Sequence, residues 1–240
     1  MVPFREEISK MISSIQNIDN EERNLLKYLL FLKLSKGQKI LDIGCGYGKK
    51  MTILSSKGYE VLGIDVNSHI IKENVKSGLN CMTLKEFERT NCIYDVLLMS
   101  HVIEHFQPID LWKFMDSYLD RLHPGGYLVI ATPLNSKYFY DDFDHVKPYH
   151  PMGIQMVFGS GQSQIQYTAR NRIDLIDIWF RKSFFRLNFY PGLYINKYSK
   201  IPIIINLFSA LLFRASLGII GKKDGWMGLY RKKNKEVDNL

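Results

Sequence analysis

The run Lys39-Ile40-Leu41-Asp42-Ile43-Gly44-Cys45-Gly46-Tyr47-Gly48 constrains the fold more than any other part of this chain. Apolar residues end in an acid, and glycines then occupy every second position. A buried strand that stops there, with a backbone that must turn tightly around a ligand, accounts for that order. Glycine accepts positive φ and lets a ligand approach where a Cβ would block it. The helix expected next offers its free N–H groups at the same place. A second apolar run, Tyr59 to Ile64, ends in Asp65. An acid at that point can accept hydrogen bonds from ribose hydroxyls, as in nucleotide-binding βαβ units generally.

The pattern continues as strand, helix, strand. Strands are predicted at 39–43, 60–64, 80–84, 94–99 and 127–132, with helices at 49–56, 68–77 and 108–122 between them. The unbroken apolar run from Tyr94 to Met99 suits a strand covered on both faces. Pro124-Gly125-Gly126 reads as a turn. Alternation of this kind implies a parallel sheet with right-handed crossovers, and ligands then bind at the carboxyl ends of the strands. The glycine loop, Asp65, Ser100 to His105 and Thr132 to Asn135 all fall on that rim. Helical spacing of Ile8, Met11, Ile12 and Ile15, then of Leu25, Leu26, Leu29 and Leu30, predicts N-terminal helices over residues 4–34. In the last third, Ile165–Tyr167, Arg181–Phe189 and Trp226–Arg231 offer strand material.

The glycine spacing differs from the dinucleotide fingerprint, whose third glycine comes three residues after the second, at a helix start that cradles a pyrophosphate. The form Asp-x-Gly-x-Gly-x-Gly resembles the S-adenosylmethionine (SAM) motif of class I methyltransferases. Tyr94 to His105, and Leu122 to Pro133, resemble the fourth-strand and fifth-strand motifs of the ubiquinone-biosynthesis-like members of that superfamily, so the likeness covers about residues 37–150. It implies a Rossmann-like α/β fold: a seven-stranded, mostly parallel sheet with helices on both faces, an N-terminal helical cap (1–36) and a methyltransferase domain (37–240) with a helical insertion around 190–224. It also implies SAM as cofactor, held by Asp42, Gly44, Cys45, Gly46 and Gly48, with Asp65 and Val66 at the ribose and Ser100 and His101 beside them. Thr83-Leu84-Lys85-Glu86-Phe87 carries no clear counterpart of the acid that many members place near the adenine.

SAM brings its own activated methyl group, so the protein mainly aligns the acceptor and, for a hydroxyl, removes a proton. His101, His105 and His145 are the candidate bases. His101, Glu104 and His105 stand at i, i+3 and i+4, which one turn of helix would place on one face. Three readings of this group stay open: it orders the loop beneath SAM, it supplies a base, or His101, Glu104, His105 and His145 hold a metal. The Glu-His pair with a later histidine is similar to the metal site of small-RNA 3′-terminal 2′-O-methyltransferases, which have a glutamate where this chain has His101. The loop Tyr138 to His150 resembles a segment of methyltransferases of the sugar and surface-polysaccharide type.

The acceptor expected from these resemblances is a hydroxyl on a small molecule, glycan or lipid-linked intermediate. Two rivals remain: metal-dependent RNA 2′-O-methylation, disfavoured because no RNA-binding module accompanies the domain, and an inactive SAM-binding partner subunit. The chain of 240 residues carries a formal charge of +8, compatible with anionic lipid, nucleic acid or a plain lysine-rich surface. Three scattered cysteines fit a reducing compartment, and a charged N-terminus without an apolar core predicts no signal peptide, so a cytoplasmic location is expected. Residues 201–220 have about the length of a bilayer span, but Arg214 and several polar residues weigh against spanning. Lys197, Lys200, Lys222 and Lys223 around this segment suit peripheral contact with an anionic membrane, against the alternatives of packing on the domain or a dimer interface. Nothing in the sequence sets the oligomeric state.

Overall fold

A computed structural model describes residues 21–136, 138–159, 166–187 and 201–234. The first predicted helix, with residues 4–20, lies outside the described residues. Helix α1 (Glu21–Phe31) leads into β1 (Lys39–Ile43), α2 (Lys49–Ser55), β2 (Glu60–Asp65), α3 (Ser68–Lys76), β3 (Cys81–Thr83), α4 (Leu84–Glu88) and β4 (Tyr94–Ser100). A 3₁₀ turn (Ile103–His105), α5 (Pro108–Leu119), β5 (Leu122–Pro133), a second 3₁₀ turn (Phe139–Asp141), α6 (Pro151–Phe158), β6 (Ile173–Ser183), α7 (Ile201–Ala215) and β7 (Lys222–Lys232) complete the order. One seven-stranded sheet runs β3-β2-β1-β4-β5-β7-β6. β1 to β5 pair in parallel, and β7 runs antiparallel to both β5 and β6.

Strand periodicity divides the core in two. Leu41, Ile43, Leu97, Met99, Leu128 and Ile130 pack with α5 and α6 on one face of the sheet. Their alternates Ile40, Val96, Leu98, Val129 and Ala131 pack with α1, α2 and α3 on the other. Successive side chains on a strand point to opposite faces, so Asp42 and Ser100 fall on the α1–α2 side at the ends of their strands. Each fully buried aliphatic side chain contributes about 1.5–3 kcal/mol, which makes these two layers the main source of stability.

Several boundaries differ from the sequence reading, and β7 begins at Lys222 rather than near Gly225. β5 begins at Leu122, because Leu122 pairs with Tyr94 before His123–Gly126 bulge out and Tyr127 rejoins opposite Val96. The helix before it ends at Leu119 rather than at residue 122. Residues 84–88 form a short helix, started by a reciprocal cap in which Thr83 Oγ1 accepts from the Glu86 N–H and the Glu86 carboxylate accepts from the Thr83 N–H. The sixth strand is Ile173–Ser183, not the two shorter pieces read from the sequence: Tyr167 is irregular, Ile165 lies outside the described residues, and residues 184–187 leave the sheet. Register shifts at Leu175/Asp177 and Arg181/Lys182 break the period-two pattern of this edge strand, which hid it.

Candidate functional site

The glycine loop leaves β1 with Gly44, Gly46 and Gly48 all at positive φ. Gly44 and Cys45 donate their N–H groups to Ile64 O, at 2.8 and 3.0 Å, which clamps the loop onto the end of β2. A Cβ on Gly44 would stand 2.6 Å from Val102 Cγ2, whereas one on Gly46 would meet nothing within 4 Å. Gly46 therefore opens onto free space. Its N–H donates to Asp65 Oδ2 at 3.0 Å, and its carbonyl accepts from Asn74 Nδ2 at 2.7 Å. Asp65 Oδ1 accepts from the N–H of Asn67, whose own side chain caps α3. The loop is thus fixed from three sides before any ligand arrives.

Asp42 is buried, and its Oδ2 has no hydrogen-bond partner among the described residues. Burial pushes its pKa up to about 7, with Lys50 pulling down and Asp65 pushing up. Ser100 Oγ, at the end of the neighbouring strand, is also buried without a partner among the described residues. Buried polar atoms are nearly always paired, so these two mark a place for a polar ligand. The Cys45 thiol points inward, within 3.9 Å of Asn74 Nδ2, so only its backbone faces the loop's concave side. Val66 is exposed, on the residue after Asp65.

His101 takes φ 58 as it leaves β4, so the expected single turn of helix carrying His101, Glu104 and His105 does not form. Only Ile103–His105 are helical, and they turn as 3₁₀. His101 Nε2 lies 3.0 Å from Glu21 Oε1, and its Nδ1 lies 3.2 Å from Glu104 Oε1, outside good hydrogen-bond alignment. Burial works against its positive form, but the nearby carboxylates of Glu104 and Glu21 outweigh it and raise the pKa to about 9. The carboxylates of Glu21 and Glu104 on its two ring nitrogens thus favour the positive form of His101. Glu21 in turn binds Arg181 Nη1 at 2.6 Å, and Arg181 Nε binds Asp224 at 2.8 Å. This chain of charges fastens the start of α1 across the carboxyl rim.

Glu104 is fully buried; its Oε2 accepts from Thr132 Oγ1 at 2.9 Å, and its carbonyl accepts from the Val146 and Lys147 N–H groups. It ties the loop 142–147 to the ends of β4 and β5. His105 Nδ1 lies 3.0 Å from Asp144 O, and His145 Nδ1 lies 2.7 Å from Phe139 O. A carbonyl only accepts, so each Nδ1 must carry a proton, and a lone pair on either ring can lie only on Nε2; His145 Nε2 stands 3.7 Å from Asp142 Oδ2. The two rings stand 5.1 Å apart. Ligand atoms of Glu104, His105 and His145 lie within 4.8 Å of one another, close enough to converge on one ion. His101 falls outside this group, so the four-residue metal set expected from the sequence reduces to three.

Asp42, the glycine loop, Asp65, Ser100 and the histidines meet at the carboxyl rim, as expected. Glu21, Asn74 and Arg181 also shape the site and were missed, whereas Thr132 was placed on the rim by the sequence. Asn74 alone left a trace: it is a polar residue one turn after Ile71 on the buried stripe of α3.

A parallel sheet of this order with an antiparallel seventh strand, and a glycine loop facing an acid at the end of β2, define a class I SAM-dependent methyltransferase. The chain belongs to the methyltransferase-domain family, whose model matches residues 17–184. Phosphoethanolamine N-methyltransferase 1 of Zea mays is 33% identical over 109 residues, 42% of this chain and 21% of that protein. Ubiquinone biosynthesis O-methyltransferase of Bradyrhizobium diazoefficiens is 30% identical over 104 residues, 40% of each. The chain thus spans well under half of these relatives. A SAM-dependent methyltransferase of Archaeoglobus fulgidus matches in structure with TM-score 0.57 and 23% identity, over 88% of this chain and 92% of that one. The magnesium protoporphyrin IX methyltransferase of Synechocystis PCC 6803, solved with SAM, gives TM-score 0.54 at 11% identity over 89% of this chain and 78% of that one. The cofactor is S-adenosyl-L-methionine, and the site suits it: the cradle over Gly46 is open, and the polar atoms of Asp42 and Ser100 are unmet.

Proposed function

We propose that this protein transfers the methyl group of SAM to a hydroxyl of a glycan or lipid-linked intermediate, at the cytoplasmic side of the cell. The observation that carries the hydroxyl is the pair His105 and His145, each pinned at Nδ1, with Nε2 of His105 as the acceptor at the rim and His145 Nε2 beside the Asp142 carboxylate, 3.7 Å away. Asp42 and the backbone of Gly44, Cys45, Gly46 and Gly48 hold the cofactor. Asp65 takes the ribose hydroxyls, Val66 contributes through its backbone, and Ser100 meets a polar atom of the ligand. His101 serves as a fixed positive charge that holds α1 over the site.

SAM supplies an electrophilic methyl on a sulfonium and leaves as S-adenosylhomocysteine. The acceptor oxygen forms the new O–C bond, and its proton passes to Nε2 of His105 or His145. The exposed rings of Tyr140 and Phe143 on the adjoining loop give apolar faces against which a sugar or isoprenoid can lie. The name of the bacterial relative, an O-methyltransferase, supports oxygen as the acceptor atom.

Incubation with labelled SAM and separated glycan, lipid, RNA and metabolite fractions tests this reading. Label in an ether-linked methyl of a glycan or lipid-linked product is expected. Label in RNA, or none in any fraction despite bound SAM, would remove it in favour of RNA methylation or an inactive SAM-binding subunit.

The convergence of Glu104, His105 and His145 favours a second reading, in which a divalent cation holds the acceptor hydroxyl and lowers its pKa. Calorimetry with manganese or zinc alone distinguishes the two. Micromolar binding lost in His145→Ala supports the cation; absence of heat, with turnover unaffected by chelator, leaves the histidine base.

A further inference from the structure

Helix α7 packs on the rest of the protein by one narrow stripe. Ala210 and Phe213 are buried against Phe184, and Asn206 Oδ1 accepts the Leu187 N–H at 2.8 Å. The opposite stripe, Ile204, Phe208, Leu211 and Leu212 at helical spacing, faces solvent, with Ile204 61% and Phe208 62% exposed. Leu217, Ile219 and Ile220 continue it in the turn that follows, and Leu217 adopts φ 51, a strained conformation for a leucine. A contiguous apolar surface of this kind marks a binding face.

Charge identifies what covers it. From Ile178 to Lys223 the sequence holds eight basic residues and no acidic one, which equals the formal net charge of the whole chain, +8. Among the described residues, Arg186, Arg214 and Lys223 are exposed around the apolar stripe. A purely apolar partner would not call for that excess, and a second copy of this chain would bring the same positive charge to the contact. An anionic bilayer satisfies both features: acyl chains take the apolar stripe, and lipid phosphates meet the cations.

Position ties the face to the site. Ser183 pairs with Lys222 and Pro133 with Gly225, so the segment between β6 and β7 leaves and returns at the carboxyl rim. Lys222 Nζ lies 5.1 Å from the Tyr138 ring, at the start of the loop that carries His145. No helix of the described residues is long and apolar enough to cross a membrane, which fits a helix lying in the interface.

We infer that the exposed stripe of α7 and its basic surround dock this protein on an anionic bilayer surface, with the acceptor side of the active site turned toward the lipid. This deepens the lipid-linked acceptor reading and rests on it only for the acceptor, because docking is measured without turnover.

The test is sedimentation of the full chain with vesicles of roughly one-third phosphatidylglycerol in phosphatidylcholine. Binding is expected to these vesicles and not to phosphatidylcholine alone. It should fall several-fold as salt rises from ~0.1 M to ~1 M and the Debye length shrinks from about 10 Å to about 3 Å. The double variant Ile204→Asp/Phe208→Asp changes only exposed side chains, so it should melt like the parent and lose at least about nine-tenths of its binding. Arg214→Glu should weaken binding several-fold. No binding of the parent, equal binding by the double variant, or a parent dimer that the double variant converts to monomer would overturn the proposal. Failure here leaves SAM binding and methyl transfer untouched, and loss of transfer with docking intact would count against the acceptor reading alone.

Discussion

Asp65 and Asp42 show how two acids on one rim acquire different work. Asp65 spends one oxygen on Gly46 N–H and the other on Asn67 N–H, yet each oxygen keeps a further lone pair for a ribose hydroxyl. Asp65→Ala should weaken SAM binding by about 2 kcal/mol or more, roughly thirty-fold. Asp42 has a pKa of about 7 against an ordinary 3.8. An acid whose folded pKa is raised lowers stability progressively as pH climbs from its unfolded value to its folded one. Asp42→Asn should therefore match the parent near pH 4 and exceed it at pH 8 by up to about 4 kcal/mol, several degrees or more in Tm without ligand, while binding SAM less well. Equal melting at both pH values would mean that Asp42 is not held in a dry site. Both acids were legible as strand-ending residues, because an acid closing an apolar run must face a rim. The charge state of His101 was not, because its partner Glu21 stands 80 residues earlier and no local spacing announces it.

At the level of elements, the central strands of the parallel core were readable as apolar runs, with glycine or proline marking the end of β1 and both ends of the β5 segment Tyr127–Thr132. Edge elements were not. β6 carries two register shifts, and α4 depends on a cap between Thr83 and Glu86 that competes with a longer strand. The glycine loop combines both cases: its residues were legible, but the clamps from Ile64 and Asn74 appear only once the sheet is formed. Gly46→Ala should fold, at a cost of about 1–2 kcal/mol for its positive φ, and should bind SAM at least tenfold more weakly. Helix α1 is fastened by Glu21 to His101 and Arg181. Glu21→Gln should lower the His101 pKa from about 9 toward 6.5, readable by NMR titration. A raised histidine stabilises fully below its unfolded pKa and loses that contribution as pH passes its folded one. The stability deficit of Glu21→Gln should accordingly shrink between pH 6.5 and 9, leaving the part due to Arg181. An unchanged His101 titration would detach α1 from the rim.

Across the whole molecule, one sheet gathers the glycine loop, the histidines proposed to serve the acceptor and the α7 segment at its carboxyl rim. The glycine loop and Asp65 sit over β1 and β2, the histidines over β4 and β5, and the α7 segment over β6 and β7. That division explains what the sequence could convey: cofactor binding depends on local backbone shape, which glycine spacing records, whereas acceptor recognition depends on loops that meet only in the folded chain. The central claim is that the glycine loop and Asp65 form the SAM site. Calorimetric titration of S-adenosylhomocysteine, with the parent and Asp65→Ala side by side, tests it most directly. Micromolar binding by the parent that falls at least about thirty-fold in the variant, with melting otherwise preserved, is the expected result. No binding by the parent, or equal affinity in both proteins, would contradict it.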